Sequence, residues 1–230
     1  MSRQRAPFTL ATDAIPRIVV RPDNTALLIQ DLTGYFADPS TGLGVVARNR
    51  GVFAEFEDYF AQVEMVLRNV PWISKAARAA GIPHIYAVMG TEEGKRPSRL
   101  IRALGAAGWA DASGGDIVKQ VRPQGGDVVL KKAGFGAFNG TRLEQTLAEM
   151  GIENLIVSGV ITEFGIRNTA LTAQDLGFRP LVVSDATAST TFEAQQRAMQ
   201  EIPHGLIKVR GAGEVVQTLE RLSDEEMVFV

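Results

Sequence analysis

Three segments of the sequence carry residues that could do chemistry together. Asp31 closes an apolar run in TALLIQDLTGYF, and Lys132 closes another in GDVVLKKAGFGAFNGTRLEQTL. A third run leads into a turn and a helical pattern in LIVSGVITEFGIRNTALTAQDLGF, where Gly165 stands at the position from which a reactive side chain would project. A carboxylate can move a proton, and an ammonium beside it can tune that transfer. A strand-turn-helix aims backbone N–H groups and the helix dipole at one point, where a developing negative charge can be met. Each residue also has a plainer explanation. Asp31 could cap a turn, Lys131 and Lys132 could be a solvated pair, Thr162 could cap the following helix, and Glu163 could favour its N-terminus electrostatically.

Other chemistries find less support. The chain contains no cysteine, which excludes disulfides, thiolate metal sites and a thiol nucleophile. Ser158, Thr162 and Thr169 have no histidine nearby in sequence to make a Ser/Thr-His pair. The two histidines, His84 and His204, stand in strand-entry contexts and suggest no zinc triad, so neither a catalytic metal nor a cofactor is expected. With 24 Lys plus Arg against 26 Asp plus Glu, the net charge of -2 provides no field for nucleic acid or an anionic membrane. No apolar run approaches a membrane span, and the basic N-terminus lacks the apolar core of a signal peptide. The expected partner is a small molecule and the expected compartment the cytoplasm.

These residues need a scaffold, and the pattern supplies one. At 230 residues with 45% hydrophobic content, the chain suits one well-buried α/β core. Strand-like runs recur at Ala26 to Ile29, Ile85 to Met89, Val128 to Leu130, Leu155 to Val157, Leu181 to Val183 and Leu206 to Val209. Helical patterns lie between and after them, at about Phe56 to Ala80, Ser98 to Ala107, Thr141 to Met150, Glu163 to Leu176, Phe192 to Gln200 and Gly213 to Leu222. Alternating strand and helix predicts a Rossmann-like three-layer α/β/α structure on a six-stranded, mainly parallel sheet, with ligands outside the carboxyl ends of the strands. Residues 1–24 read as an N-terminal arm and 25–230 as the domain. The Gly-rich segment Pro39 to Phe53 reads as a lid or an oligomer contact. Thr141 and Glu144 have the spacing of a capping box.

The three segments, in this order, resemble the isochorismatase-like superfamily of hydrolases from about Asn24 to Leu222. In that family Gly-Val-x-Thr-x-x-Cys carries a nucleophilic cysteine, and here the pattern reads Gly159, Val160, Ile161, Thr162, Glu163, Phe164, Gly165. An apolar run, Asp, Met-Gln and an aromatic-Phe pair becomes Asp31, Leu32, Thr33, Tyr35 and Phe36, without the glutamine. Asp-x-x-x-x-Lys, with a following Ala-Phe and Gly-Thr, aligns Asp127 with Lys132, and Phe138, Gly140 and Thr141 keep the register. The resemblance implies Asp31 as acid or base, Lys132 as its partner, a cis peptide at Val160–Ile161, and an oxyanion hole of backbone N–H groups over Val160, Ile161, Thr162 and Gly165. Tyr35, Phe36, Phe135, Phe138, Arg99 and Glu163 are the substrate-binding candidates, with Arg99 or Arg102 able to clamp a carboxylate.

Glycine at position 165 also occurs in true isochorismatases, which the resemblance implies cleave a vinyl ether with an aspartate acid and water. Against that substrate, Ile161 replaces a usual tyrosine, and Gly134 and Phe135 replace an Arg-Tyr pair. Three readings stand: an acid-assisted hydrolase, an amide or ureido C–N hydrolase whose cysteine at position 165 was replaced, and a non-catalytic small-molecule binder. A general acid needs a raised pKa, which Lys132 opposes, so burial has to prevail at Asp31. A homo-oligomer, dimer or tetramer, is expected from Phe53, Phe56, Tyr59, Phe60, Trp72 and the apolar tail Met227 to Val230.

Overall fold

The computed structural model describes residues 17–90, 99, 116–203, 205–222 and 227–229, the last three by their backbone. Among the described residues there are eight strands: β1 (Ile18–Val20), β2 (Thr25–Gln30), β3 (His84–Met89), β4 (Val128–Lys132), β5 (Asn154–Val160), β6 (Arg179–Ala188), β7 (Lys208–Arg210) and β8 (Met227–Phe229). The helices that bear on the site are α1 (Gly34–Ala37), α2 (Gly42–Asn49), α3 (Glu57–Ala79), α4 (Leu143–Glu149), α5 (Arg167–Asp175), α6 (Phe192–Glu201) and α7 (Ala212–Arg221).

Six strands form one parallel sheet in the order β4-β3-β2-β5-β6-β7. Successive side chains of a strand face opposite ways, and β2 shows the result. Leu27 and Ile29 join a core under α3 and α7, with Val63, Val66, Val70, Val215 and Leu219. Ala26 and Leu28 join a second core under α4 and α5, with Leu143, Leu147, Ala170 and Ala173. Each fully buried aliphatic side chain contributes roughly 1.5–3 kcal/mol, so β2 and β5, buried along their whole length, fix the middle of the sheet. The chain runs from β2 outward to β3 and β4, then returns to β5 on the other side of β2. That reversal opens a crevice at the carboxyl ends of β2 and β5, where doubly wound sheets bind ligands.

Several expectations change in detail. Residues 18–20 of the expected arm form β1, which pairs antiparallel with β8 and buries Ile18 and Val20. The Gly-rich segment expected as a lid or an oligomer contact contains α2, in which Gly44 lets the helix approach Pro39: a Cβ there would fall 2.0 Å from the Pro39 carbonyl oxygen. Tyr59 and Phe60, expected at an oligomer contact, are buried core residues on α3, while Trp72 is 47% exposed. Helix α4 begins at Leu143, after Thr141. Thr141 accepts from the Leu143 N–H and donates to the Ala137 carbonyl, an arrangement distinct from the expected capping box. The helix expected at Ser98 to Ala107 lies outside the described residues except for Arg99, as do His204 and the side chains of 227–230.

Candidate active site

Asp31 follows β2 at the crevice with φ of +53°, a left-handed conformation that aspartate tolerates better than most residues. Its N–H donates to the Ala87 carbonyl of β3, so the chain leaves the sheet with the carboxylate held at the strand ends. Oδ1 accepts the Met89 backbone N–H at 2.8 Å, and Oδ2 lies 2.7 Å from Lys132 Nζ. Lys132 ends β4 as the register partner of Met89, which places three strand ends at one point. Strand alternation decides between the adjacent lysines: Leu130 and Lys132 are buried, whereas Lys131 is exposed. The Lys132 ammonium is wholly buried and donates a second bond to the Gly134 carbonyl at 2.9 Å.

Burial dominates the titration of Asp31. Removal of the carboxylate from water raises its pKa above 3.8, although the Lys132 charge and hydrogen bond, the Met89 N–H and the Gln30 amide all act to lower it. The opposition expected between burial and the lysine is therefore resolved in favour of burial. The Tyr59 hydroxyl donates to the Phe36 carbonyl at 3.0 Å, and its pKa is raised first by burial and then by the charges of Asp31 and Glu163.

The turn after β5 contains the cis peptide at Val160–Ile161. Thr162–Ile166 then form one π-helical turn in which the Ile161 carbonyl accepts from the N–H groups of Phe164, Gly165 and Ile166. The Gly165 N–H, expected in an oxyanion hole, is thus bonded within the turn at 2.8 Å. Thr162 belongs to the turn and caps no helix by a side-chain bond; its Oγ1 is buried without a partner among the described residues. Glu163 Oε1 accepts from the N–H and hydroxyl of Thr190 at 3.1 and 2.6 Å, while Oε2 is buried without a partner among the described residues. Phe135 and Phe164 stack at 5.4 Å and, with Glu163, Arg167, Asn168 and Leu171, line an open cavity of about 320 Å³ beside this turn.

The remaining candidates divide. Tyr35 and Phe36 are buried and meet edge to face at 5.0 Å. Phe138 stacks on Phe178 at 6.1 Å and packs against the core under α4 and α5. Arg99 is exposed, and Arg102 lies outside the described residues. Among the described residues, no three or more His, Asp or Glu side chains are grouped to hold a metal ion.

Sequence reasoning overlooked Gln30 and Met89, and weighed Thr169 only as a nucleophile. Gln30 Nε2 donates to the Phe135 carbonyl at 3.0 Å, and Oε1 accepts from the Thr169 hydroxyl at 2.7 Å. Thr169 in turn accepts the Ala137 N–H at 2.8 Å. A polar residue inside an otherwise apolar central strand was the available signal, because a buried amide requires partners. Met89 acts through its backbone, which no residue-type pattern reveals.

An isochorismatase domain matches residues 25–214, and the chain belongs to the isochorismatase family. It is 28% identical over 223 residues to the ureidoacrylate amidohydrolase RutB of Serratia proteamaculans strain 568, covering 86% of this chain and 84% of that protein. It is 29% identical over 178 residues to an N-carbamoylsarcosine amidase of Arthrobacter sp., covering 71% of this chain and 65% of that protein. A cysteine hydrolase from Pseudomonas syringae pv. phaseolicola 1448A has the same fold, with a TM-score of 0.73 at 19% identity over 91% of this chain and 99% of that one.

Proposed function

We propose that the chain is a small-molecule hydrolase in which Asp31 shuttles a proton, Lys132 holds its charge, and water rather than a protein side chain attacks the substrate. The carrying observation is the buried Asp31–Lys132 pair at 2.7 Å, beside a turn whose residue 165 bears no side chain. As a carboxylate, Asp31 accepts a proton from the attacking water; as the acid it returns one to the leaving nitrogen or oxygen. A raised pKa makes Asp31 a stronger base as a carboxylate and more available as an acid than a free aspartate. The developing oxyanion would be met by the N–H groups of Ile161 and Thr162, since that of Gly165 is already bonded to the Ile161 carbonyl. Phe135 and Glu163 would bind the substrate from the adjoining cavity. Similarity to the ureidoacrylate amidohydrolase and the N-carbamoylsarcosine amidase favours an amide or ureido compound. The same reading takes 25–230 as one catalytic unit, acting in the cytoplasm as a homo-oligomer.

The absent side chain at Gly165 favours a second reading, a binder without turnover. Wild type and Asp31→Asn should be assayed against isochorismate, primary amides and ureido acids. Hydrolysis that falls at least about 100-fold in Asp31→Asn supports the hydrolase. Thermal stabilisation by one of these compounds with no turnover supports the binder.

A further inference from the structure

The space beside Gly165 is occupied. A Cβ built on Gly165 would lie 2.2 Å from Gln30 Nε2 and 3.1 Å from the Phe135 carbonyl oxygen. The terminal amide of Gln30 therefore fills the volume into which a side chain at 165 would project. Ordinarily the end of a flexible side chain yields cheaply, but this one is fixed at both ends. Its Nε2 faces a carbonyl, which can only accept, and its Oε1 receives the Thr169 hydroxyl, whose own proton is directed there because the Ala137 N–H occupies it as an acceptor. That pattern also fixes which end of the amide is nitrogen. Gln30 is fully buried and immediately precedes Asp31 in the chain, and its amide acts to lower the pKa of the Asp31 carboxyl. Displacing it would strand the Phe135 carbonyl and the Thr169 hydroxyl away from water.

We propose that Gln30 and Gly165 form a matched pair: the Gln30 amide closes the slot that a nucleophilic side chain would need, and from that slot it positions Asp31. Gln30 is a positioning residue rather than a catalytic one. The loop after β4, the start of α5 and the end of β2 are tied together through this single amide, so the slot and the acid–base group are set by the same side chain. The closed slot follows from the geometry alone; the positioning role rests on the proposed use of Asp31 as the proton shuttle.

The test uses Gly165→Cys alone and combined with Gln30→Ala, with iodoacetamide as the probe. Thiol alkylation requires no substrate, so it is independent of whether the protein is a hydrolase. Alkylation in the double variant at least 10-fold faster than in folded Gly165→Cys, or a Gly165→Cys protein that folds only when combined with Gln30→Ala, supports a closed slot. Equal rates in two folded variants overturn it, as does a double variant that fails to fold while Gly165→Cys folds. For positioning, the Asp31 carboxyl carbon is titrated by NMR in wild type and Gln30→Met. Loss of the amide should move its midpoint to higher pH; an unchanged midpoint overturns the positioning role. Turnover lost in Asp31→Asn with an unchanged midpoint would leave the hydrolase reading standing and this one refuted.

Discussion

Removing either member of the Asp31–Lys132 pair should destabilise the protein far more than removing both. At 2.7 Å, the Coulomb attraction at an effective dielectric of about 20 is 332/(20 × 2.7), or about 6 kcal/mol. Neither group can fall back on water, because the Lys132 side chain is 0% exposed and the Asp31 side chain 5%. Asp31→Asn leaves the ammonium with the Gly134 carbonyl as its remaining strong acceptor. Lys132→Met leaves the carboxylate with the Met89 N–H. Breaking a buried pair from one side typically costs about 3–5 kcal/mol, whereas replacing both members with apolar or neutral groups is often close to neutral. Urea unfolding of wild type, both single variants and Asp31→Asn/Lys132→Met at pH 7 should therefore give a coupling of about 3 kcal/mol or more. Lys132→Met carries an added signature. Its Asp31 carboxyl, already raised by burial and now without the ammonium, is relieved by protonation, so this variant should gain stability relative to wild type as pH falls. Additivity within about 0.5 kcal/mol would refute the claim that the two charges depend on each other.

Three further outcomes follow from the structure. Gly159→Ala should lose about 3 kcal/mol or more in urea unfolding, because Gly159 has φ of +114° and a Cβ there would fall 2.0 Å from the Gln30 carbonyl oxygen. Burial would raise the Asp127 pKa, but Arg78, with bonds of 3.0 and 2.6 Å, and the Gln124 N–H hold it below 3.8; its contribution is present above 3.8 and lost as pH falls through the folded value, so Asp127→Asn should flatten the acid limb of a stability-pH curve. Burial, followed by the Arg78 charge, holds His84 below 6.5, so His84→Gln should remove a loss of stability that begins as pH falls through 6.5 and ends below the folded pKa.

The layered fold was legible because its signals are local and repeated: β2 and β5 are apolar runs bounded by polar residues, and α7 has a regular buried stripe. Asp31 and Lys132 were legible because each ends such a run, and parallel strands bring their carboxyl ends to one edge. Short strands hid β1 and β8, whose pairing joins residues near opposite ends of the sequence. The π turn at Thr162–Ile166 was hidden because helical periodicity tolerates one extra residue, the one that brings the Ile166 N–H onto the Ile161 carbonyl. Phe138 matched a motif in register, but stacking on Phe178 gives it a packing role that linear spacing cannot distinguish from substrate contact. The most consequential omission was Gln30, whose importance appears only when β2, the Phe135 loop and α5 are placed together.

Direct attack by water requires hydrolysis without a covalent link to the protein. Once a turned-over substrate is in hand, its reaction should be quenched with acid during steady-state turnover and the intact protein weighed by mass spectrometry. The unmodified mass is expected throughout turnover that depends on Asp31; a transient adduct with the mass of the substrate's acyl or carbamoyl fragment would contradict direct attack by water.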